Sequence, residues 1–229
     1  RRVQESPMIH DLTHRLVPGI PHYPGDPGVR IERWPGEPPW QTSEVCFGTH
    51  SGTHLDAPRH FLPDGPGVGA LSADRFVGTG VVLDAAGFGA NEPLPASLLD
   101  ALPAAFAPGW FVVVRTAWDR WWGDERYFQH PYLSPDFARA LADIGAGIVG
   151  IDALNVDSTA DETDHAHAAL LGRGVLLVEN LRGLDALRPG ARYRFAFAPL
   201  AFGSGVDGSP IRALAWDFPG DASAGDSAP

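Results

Sequence analysis

SPDFARALADIGAGIVGIDA, residues 134–153, predicts a helix followed directly by a buried strand. Ser134 is a favourable N-cap, Pro135 suits the first turn of a helix, and Gly145 marks the end of that helix. The apolar residues that recur at helical spacing, and so predict one buried face, are Phe137, Leu141 and Ile144. The run GIVGIDA (147–153) is short and apolar, as expected of a strand inside a sheet.

Three further apolar runs have the same character: TGVVLDAA (79–86), GWFVVVRTA (109–117) and GVLLVEN (174–180). Buried strands that alternate with a helix indicate an α/β fold. Before residue 70 the chain consists of short strand-like pieces separated by loops rich in proline and glycine. Because no linker separates the two parts, we expect a single domain with a mixed sheet over 1–220, followed by a disordered tail at 221–229.

The composition excludes several classes of function. A net charge of −11 argues against nucleic acid or an anionic membrane as a partner. All 17 basic residues are arginine, which excludes a Walker-type phosphate loop and a lysine Schiff base. Cys46 is the single cysteine; we expect it to be buried, and no disulfide framework is available within the chain. No stretch is long and apolar enough for a membrane span or a secretory signal, so we expect a cytoplasmic protein.

Three of the nine histidines lie in HSGTHLDAPRH, residues 50–60. On a helix, Asp56 would lie roughly opposite His50. On a regular strand, His50 and His54 would be about 13 Å apart at roughly 3.3 Å per residue, too far for one small site. A bulge or tight turn at Gly52 and the serine before it removes the conflict, because glycine adopts such turns at little steric cost. This turn would bring His50 back beside His54 and Asp56.

The predicted local structure is then a short strand over 53–56, ended by Pro58, with His60 a few residues later. Two neutral imidazoles and one carboxylate suit Zn²⁺, Mn²⁺ or Fe²⁺, and three protein ligands leave a position for water. We interpret the cluster as a catalytic metal site. The alternative is a polar turn with solvated histidines.

Polar side chains also follow three of the predicted buried strands: Arg115, Asp152 and Glu179. In α/β sheets the clefts lie at the carboxyl ends of strands, so these residues are candidates for a site. His165 and His167 come before a predicted short helix packed by two leucines. A second His and Glu pair is therefore available to meet the first cluster, although acidic groups after strands are also common as helix caps or solvated ends.

Taken together, these motifs resemble the cyclase family of metal-dependent hydrolases, which includes bacterial kynurenine formamidases and isatin hydrolase. The stretches that carry the resemblance are YPGD (23–26), HSGTHLDAPRHF (50–61), RTAWDRWWGDERYFQHP (115–131), GIVGIDA (147–153), HAALLGRGVLLVENL (167–181) and DGSPIRALA (207–215). The resemblance implies a β-barrel-like or swivelling β/β/α core. It also implies a homo-oligomer, either a homodimer or a homotetramer.

The resemblance further implies a role for each residue of the histidine motif. The implied metal ligands are His50, His54 and Asp56, with His167 and Glu179 completing a second metal position. His60 is implied as the acid/base residue, whereas His165 does not fall in the ligand register. The expected cofactor is Zn²⁺ or Mn²⁺, with one or two ions per chain.

The expected reaction is hydrolysis of an amide by metal-activated water, with His60 taking a proton from the water and returning it to the leaving nitrogen. The expected substrate is a small aromatic molecule, either an N-formyl arylamine such as N-formylkynurenine or a cyclic amide such as isatin. The aromatic segment 118–128 either forms a wall for that substrate or buries a loop. Arg59 and Arg115 are candidates to bind a substrate carboxylate or a structural one. Two other functions stay open: a metal-assisted cyclase, dehydratase or isomerase acting on a polyketide-like compound, and a noncatalytic metal-binding protein.

Overall fold

The computed structural model describes residues 8–217, so the predicted tail at 221–229 lies outside the described residues. Within this range the α-helices are α1 (Pro135–Asp143) and α2 (His165–Leu171). The strands are β1 (Ile9–Asp11), β2 (Arg30–Trp34), β3 (Thr42–Cys46), β4 (His54–Asp56), β5 (Val77–Asp84), β6 (Pro93–Leu94), β7 (Phe111–Arg115), β8 (Tyr132–Leu133), β9 (Ile148–Ile151), β10 (Leu176–Glu179), β11 (Arg192–Pro199) and β12 (Gly208–Asp217). Short 3₁₀ helices occupy Pro58–His60, Val68–Ala70, Ala73–Phe76, Ala96–Ala101, Trp118–Trp121, Glu125–Gln129 and Leu184–Ala186.

Eight of these strands form one mixed sheet that closes into a barrel. Their order is β1-β12-β11-β5-β7-β9-β10-β4, and β4 also pairs with β12. The four strands β5, β7, β9 and β10 run parallel to one another, whereas the other pairings in this sheet are antiparallel. The predicted α/β class with a mixed sheet is confirmed. Because β4 pairs with β10 on one side and β12 on the other, the strand that closes the barrel carries His54 and Asp56.

Side chains alternate between the interior and the exterior of the barrel, as the pleat of a strand requires. On β7, Val113 belongs to the buried cluster that fills the barrel, whereas Val112 and Val114 belong to the cluster under the helices. On β4, Leu55 belongs to the interior cluster. His54 and Asp56 therefore point outward, to the side on which α2 packs.

Both helices follow from local sequence signals. Ser134 caps α1, since its Oγ accepts a hydrogen bond from the backbone N–H of Phe137 at 3.2 Å, and Gly145 follows the helix with a φ of +72°. These features of α1 confirm the prediction. The placement of His165 and His167 before the second helix is wrong, because both residues lie inside α2.

The earlier start of α2 has a physical cause. The carboxylate of Asp157 accepts hydrogen bonds from the backbone N–H groups of Ala166 and His167, at 2.8 Å and 3.0 Å. The first turn of a helix has N–H groups without partners in the helix, and a carboxylate that accepts from them stabilises that turn. The helix therefore begins at His165, before the leucines that suggested it.

The β2–β3 hairpin pairs with no other strand among residues 8–217, and all ten of its residues are exposed. Cys46 lies at the end of β3 and is exposed, so the expectation of a buried cysteine is wrong. An isolated hairpin has no second layer to cover it, which is why the apolar neighbours of Cys46 in the sequence do not bury it. No helix in the described part of the chain is long and apolar enough to cross a bilayer. The cytoplasmic location stays a prediction.

Candidate metal centre

The turn before β4 has the geometry that the histidine spacing requires. Gly52 has a φ of +64°, in the left-handed region that glycine adopts without strain. The chain reverses there and places the ring of His50 5.0 Å from the ring of His54, measured between centroids. His54 and Asp56 follow on the same face of β4.

Two further elements bring the distal pair to this face. In the antiparallel pairing of β4 with β10, Glu179 lies directly opposite His54. Helix α2 contributes His167, which is buried. The structure thus brings the five residues His50, His54, Asp56, His167 and Glu179 together.

The side-chain distances show a tight cluster around Asp56. Its Oδ1 lies 2.7 Å from Nδ1 of His50 and 3.3 Å from Nε2 of His54, and its Oδ2 lies 3.7 Å from Nε2 of His167. Glu179 lies 3.4 Å from Nε2 of His54 through one oxygen and 3.7 Å from Nε2 of His167 through the other. Asp56 is thus shared by three imidazoles, as a carboxylate between two adjacent cation positions would be.

Backbone and side-chain contacts hold the imidazoles in one orientation. Nδ1 of His54 donates to the carbonyl of Gly52 at 2.9 Å, which leaves Nε2 facing the carboxylates. Nδ1 of His167 donates to Asp157 at 2.8 Å, which likewise directs its Nε2 to the cluster. Glu179 accepts from the backbone N–H of Val156 at 2.9 Å. Such contacts fix the tautomer and rotamer that a metal ligand needs.

The carboxylates create a strongly negative local field. Burial disfavours a charged imidazolium, but Asp56 and Asp207 outweigh burial and raise the pKa of His50 to about 9. Burial likewise opposes the charge on His167, but Asp157, Asp56 and Glu179 raise its pKa to about 10. A field that holds protons on imidazoles also attracts a divalent cation, and metal and protons compete for the same nitrogen atoms.

The cluster fits a divalent metal ion. The nitrogen and oxygen donors of His50, His54 and Asp56 all lie within 4.8 Å of one another, and so do those of Asp56, His60 and His167. Oδ2 of Asp56 is buried and has no hydrogen-bond partner between residues 8 and 217, a state that is costly for a carboxylate oxygen unless a cation satisfies it. Imidazole and carboxylate donors suit Zn²⁺ and Mn²⁺.

His60 lies beside the cluster but is more open to solvent than its neighbours. Its ring is 3.9 Å from that of His50 and 5.5 Å from that of His167, and its side chain is 34% exposed. Burial lowers its pKa below the usual value, so the imidazole is neutral and able to accept a proton near neutral pH. Its backbone lies in the 3₁₀ turn after Ala57, as the break at Pro58 predicts.

Asp207 is a site residue that the sequence did not reveal. Its Oδ2 lies 3.0 Å from Nε2 of His50 and 3.4 Å from Nδ1 of His60, so one carboxylate contacts both histidines. Asp207 precedes Gly208, which pairs with Asp56 across the β4–β12 ladder. The available signal was an acidic residue just before β12, but its use requires knowing that β12 pairs with β4.

A cavity of about 250 Å³ opens onto the metal centre. Besides His50, His54, His60, His167 and Glu179, its lining residues are Tyr23, Asp26, Phe61, Leu154, Asn155, Thr163, Asp164 and Asn180. None of the arginines in the described part of the chain lines it. We call this space the reaction cavity.

The aromatic segment 118–128 does not contribute to the reaction cavity. Trp118 and Tyr127 are buried in the core cluster under the helices, and Trp122 packs against that cluster. The structure therefore favours the second of the two expected roles, the burial of a loop. Tyr127 also donates a hydrogen bond to Oδ1 of Asn180 at 2.8 Å, which links this loop to the cavity wall.

The remaining polar candidates have structural contacts outside the reaction cavity. Arg115 pairs with Asp84 at 2.9 Å, and Arg59 donates weakly to the carbonyl of Gly65 at 3.4 Å. Asp152 accepts from Thr116 at 2.6 Å and from the backbone N–H of residue 117 at 2.8 Å, and so holds the chain after β7. His165 contacts the carbonyl of residue 133 at 2.7 Å, outside the cavity.

A sequence profile described as "Putative cyclase" matches residues 10–158, more than half of the chain. The chain belongs to the cyclase family. The kynurenine formamidase of Erythrobacter litoralis is 30% identical to this cyclase-family chain over 214 residues, covering 92% of this chain and 94% of that protein. The kynurenine formamidase of Bordetella avium is 32% identical over 215 residues, covering 90% and 96%.

Solved structures of cyclase-family proteins have the same fold. An isatin hydrolase bound to the product analogue thioisatinate has a TM-score of 0.81 at 27% identity, with 92% of each chain covered. A protein described as a potential metal-dependent hydrolase with cyclase activity has a TM-score of 0.77 at 29% identity, covering 93% of this chain and 99% of the other. The resemblance to the metal-dependent hydrolases of the cyclase family is confirmed, and with the histidine and aspartate cluster it points to a divalent metal ion.

Gly208 gives a local test of the metal centre. A Cβ atom at this position would lie 2.7 Å from Cε1 of His50, so Gly208→Ala should displace that imidazole. We expect a loss of about 1–3 kcal/mol in the free energy of unfolding and weaker metal binding, measured by denaturation and by metal titration. Gly205→Ala is the matched control, because nothing lies within 4 Å of its added Cβ. Equal metal affinity in the two variants would show that His50 is not a ligand.

Proposed function

We propose that this cyclase-family enzyme hydrolyses a non-peptide amide of a small aromatic compound with no net charge at the cluster around Asp56. The observation that carries the proposal is the convergence of imidazoles and carboxylates from β4, β10 and α2 on the wall of a cavity, with His60 beside them. An arylformamide such as N-formylkynurenine and a cyclic amide such as isatin are the candidate substrates, since kynurenine formamidases and an isatin hydrolase are similar to the chain over about nine tenths of its length.

The proposed ligands of the divalent ion, Zn²⁺ or Mn²⁺, are His50, His54 and Asp56, with His167 and Glu179 at a second position. When bound, such an ion supplies Lewis acidity, which makes water a nucleophile near neutral pH and polarises a carbonyl oxygen. The hydrogen bonds that Nδ1 of His54 and of His167 donate to Gly52 and Asp157 keep the Nε2 atoms of both rings directed into the cluster. Because these rings are held before substrate arrives, little reorganisation is needed for catalysis.

His60 is the proposed acid/base residue. Its neutral imidazole accepts a proton from the attacking water and returns it to the leaving nitrogen, which breaks the carbon–nitrogen bond and yields an amine and a carboxylic acid. Asp207, 3.4 Å from Nδ1 of His60, orients the ring and stabilises the imidazolium that forms. The open side of His60 gives that proton a route to solvent and substrate.

The lining of the reaction cavity supports an aromatic substrate with no net charge. Tyr23, Phe61 and Leu154 provide apolar surface, and the acidic residues Asp26 and Asp164 lie in the same wall. Since no arginine between residues 8 and 217 lines that wall, a substrate with net negative charge would meet no guanidinium there and would be repelled by carboxylates. Isatin has no charged group, and in zwitterionic N-formylkynurenine the ammonium group offsets the carboxylate.

We expect the metal-loaded enzyme to hydrolyse N-formylaniline with a kcat/KM at least about tenfold above that for N-formylanthranilate, since one unfavourable charge contact of about 1.4 kcal/mol gives that ratio. Release of formate from each compound is the measurement. Equal rates would contradict the cavity assignment. Turnover of an enolisable ketone in the absence of any amide hydrolysis would favour the cyclase or isomerase alternative, and no turnover at all would favour a metal-binding protein.

We also propose that the chain forms a homodimer or homotetramer. The β2–β3 hairpin supports this, because Trp34, Trp40 and Val45 are 55%, 79% and 47% exposed and a free hairpin of two strands is marginally stable in water. Light scattering at working concentration should give at least twice the chain mass. A strictly monomeric active enzyme would contradict this proposal.

A further inference from the structure

A second cavity, of about 780 Å³, lies beside the segment 11–17 and the start of β12. We call it the His14 cavity. Ser51 and Thr53 line it, whereas their neighbours His50 and His54 line the reaction cavity, so the same short turn separates the two spaces. Its volume lies within the range of about 300–1,000 Å³ that is usual for small-molecule sites.

Positive charge is concentrated at the His14 cavity. Three arginines line it, and one of them, Arg212, is held by two hydrogen bonds to Asp11, at 2.7 Å and 3.0 Å. The other two, Arg15 and Arg182, form no ion pair with any residue between 8 and 217. In a chain with 28 acidic and 17 basic residues, two guanidinium groups that have no ion pair within the described range make this cavity a local site for an anion.

His14 adds an aromatic face to this charge. Its ring stacks on Trp122 with centroids 3.8 Å apart and an interplanar angle of 10°, and the residue is only 9% exposed. Burial, together with the positive charge of Arg182, lowers the pKa of His14 to about 4, so the ring is neutral at physiological pH. Nε2 of His14 is buried and has no hydrogen-bond partner among the residues that the structure describes, which is unusual for a buried polar atom.

Apart from Thr13, the remaining side chains of the wall are apolar. The side chains that provide this surface are Leu16, Val17, Phe47, Leu200 and Ile211. Val17 and Leu200 are 46% and 49% exposed, so the described residues leave this surface open to a ligand. Guanidinium groups without an ion pair among residues 8–217, beside apolar and aromatic surface, are complementary to a molecule with one carboxylate and a hydrophobic body.

We propose that the His14 cavity binds an organic monocarboxylate, with the carboxylate on Arg15 and Arg182 and the hydrophobic body against the apolar wall. This inference does not depend on the proposed amide hydrolysis. Thr53 connects the cavity to the metal centre, since its Oγ accepts from the backbone N–H of His14 at 2.9 Å and donates to the carbonyl of Asn180 at 2.6 Å. A ligand there contacts the residue next to the proposed ligand His54.

Calorimetric titration with benzoate tests the proposal. Benzoate should bind the metal-loaded enzyme, and should still bind His54→Ala, in which the metal centre is disrupted. The double variant Arg15→Gln/Arg182→Gln should bind it at least tenfold more weakly, whereas Arg188→Gln, an exposed arginine outside the cavity, should bind it like the parent. Benzamide, which has the same shape without the charge, should bind at least tenfold more weakly than benzoate.

Thermal unfolding and N-formylaniline hydrolysis of the double variant should match those of the parent, which would show that the loss is local. The imidazole NMR signals of His14 should shift on addition of benzoate to the parent and not to the double variant. The proposal is overturned if benzoate does not bind, if it binds the double variant as tightly as the parent, or if binding disappears entirely in His54→Ala.

Discussion

Replacing His54 or Asp56 with alanine is expected to remove both the metal ion and the activity. His54 is 3% exposed and Asp56 is fully buried, and each faces the other proposed ligands across distances of 2.7–3.7 Å. Loss of either donor leaves only two of the three proposed ligands, so the ion is no longer held. In the absence of the ion, water is not an effective nucleophile at neutral pH. We expect turnover to fall by more than about 10⁴-fold, the upper end for the loss of an acid/base residue.

The measurements are the metal content, by elemental analysis, and kcat for N-formylaniline. His10→Ala is the matched control, because His10 lies on β1 and contacts Tyr193, outside the reaction cavity. A His54→Ala enzyme that keeps its full metal content would exclude His54 as a ligand. Circular dichroism of each variant separates loss of the ion from loss of the fold.

Replacing His60 with alanine is expected to keep the metal and remove most turnover. His60 is more exposed than the buried cluster, and its lowered pKa suits a proton acceptor. Losing a general acid/base residue typically costs about 10²- to 10⁴-fold in rate. We therefore expect kcat to fall within this range while metal content stays at the parent level.

The neighbouring Arg59→Ala is the control for this variant, since Arg59 does not line the reaction cavity. Hydrolysis of N-formylaniline by His60→Ala at the parent rate would rule out the assigned role. If His60→Ala loses metal as readily as His54→Ala, then His60 is a ligand and a different group carries the proton. This outcome is a real alternative, because the donor atoms of Asp56, His60 and His167 all lie within 4.8 Å of one another.

The local features of the fold were predictable from the sequence because they depend on neighbouring residues. The left-handed turn at Gly52 was predictable because a regular strand would hold His50 and His54 too far apart for one site. Helix α1 follows from its cap at Ser134 and its stop at Gly145. The position of Glu179 after a buried strand suggested that a second His and Glu pair could meet the first cluster, whereas the choice of His167 over His165 came from the resemblance.

Features that depend on tertiary pairing were not predictable in this way. Asp207 reaches His50 only because β12 pairs with β4 at the point where the barrel closes. Asp157 begins α2 early because its carboxylate turns back onto the first N–H groups of that helix. Cys46 looked buried in a sequence of apolar neighbours, but its hairpin has no layer above it.

Metal titration of the chelated enzyme with Mn²⁺ or Zn²⁺, followed by formate release from N-formylaniline, tests directly whether hydrolysis depends on the metal. We expect almost no activity without metal, and activity that rises with bound ion until one or two ions per chain are held. His54→Ala, titrated in parallel, should stay inactive at the same metal concentrations. Full activity of metal-free enzyme, or activity that does not follow ion binding, would contradict metal-dependent hydrolysis.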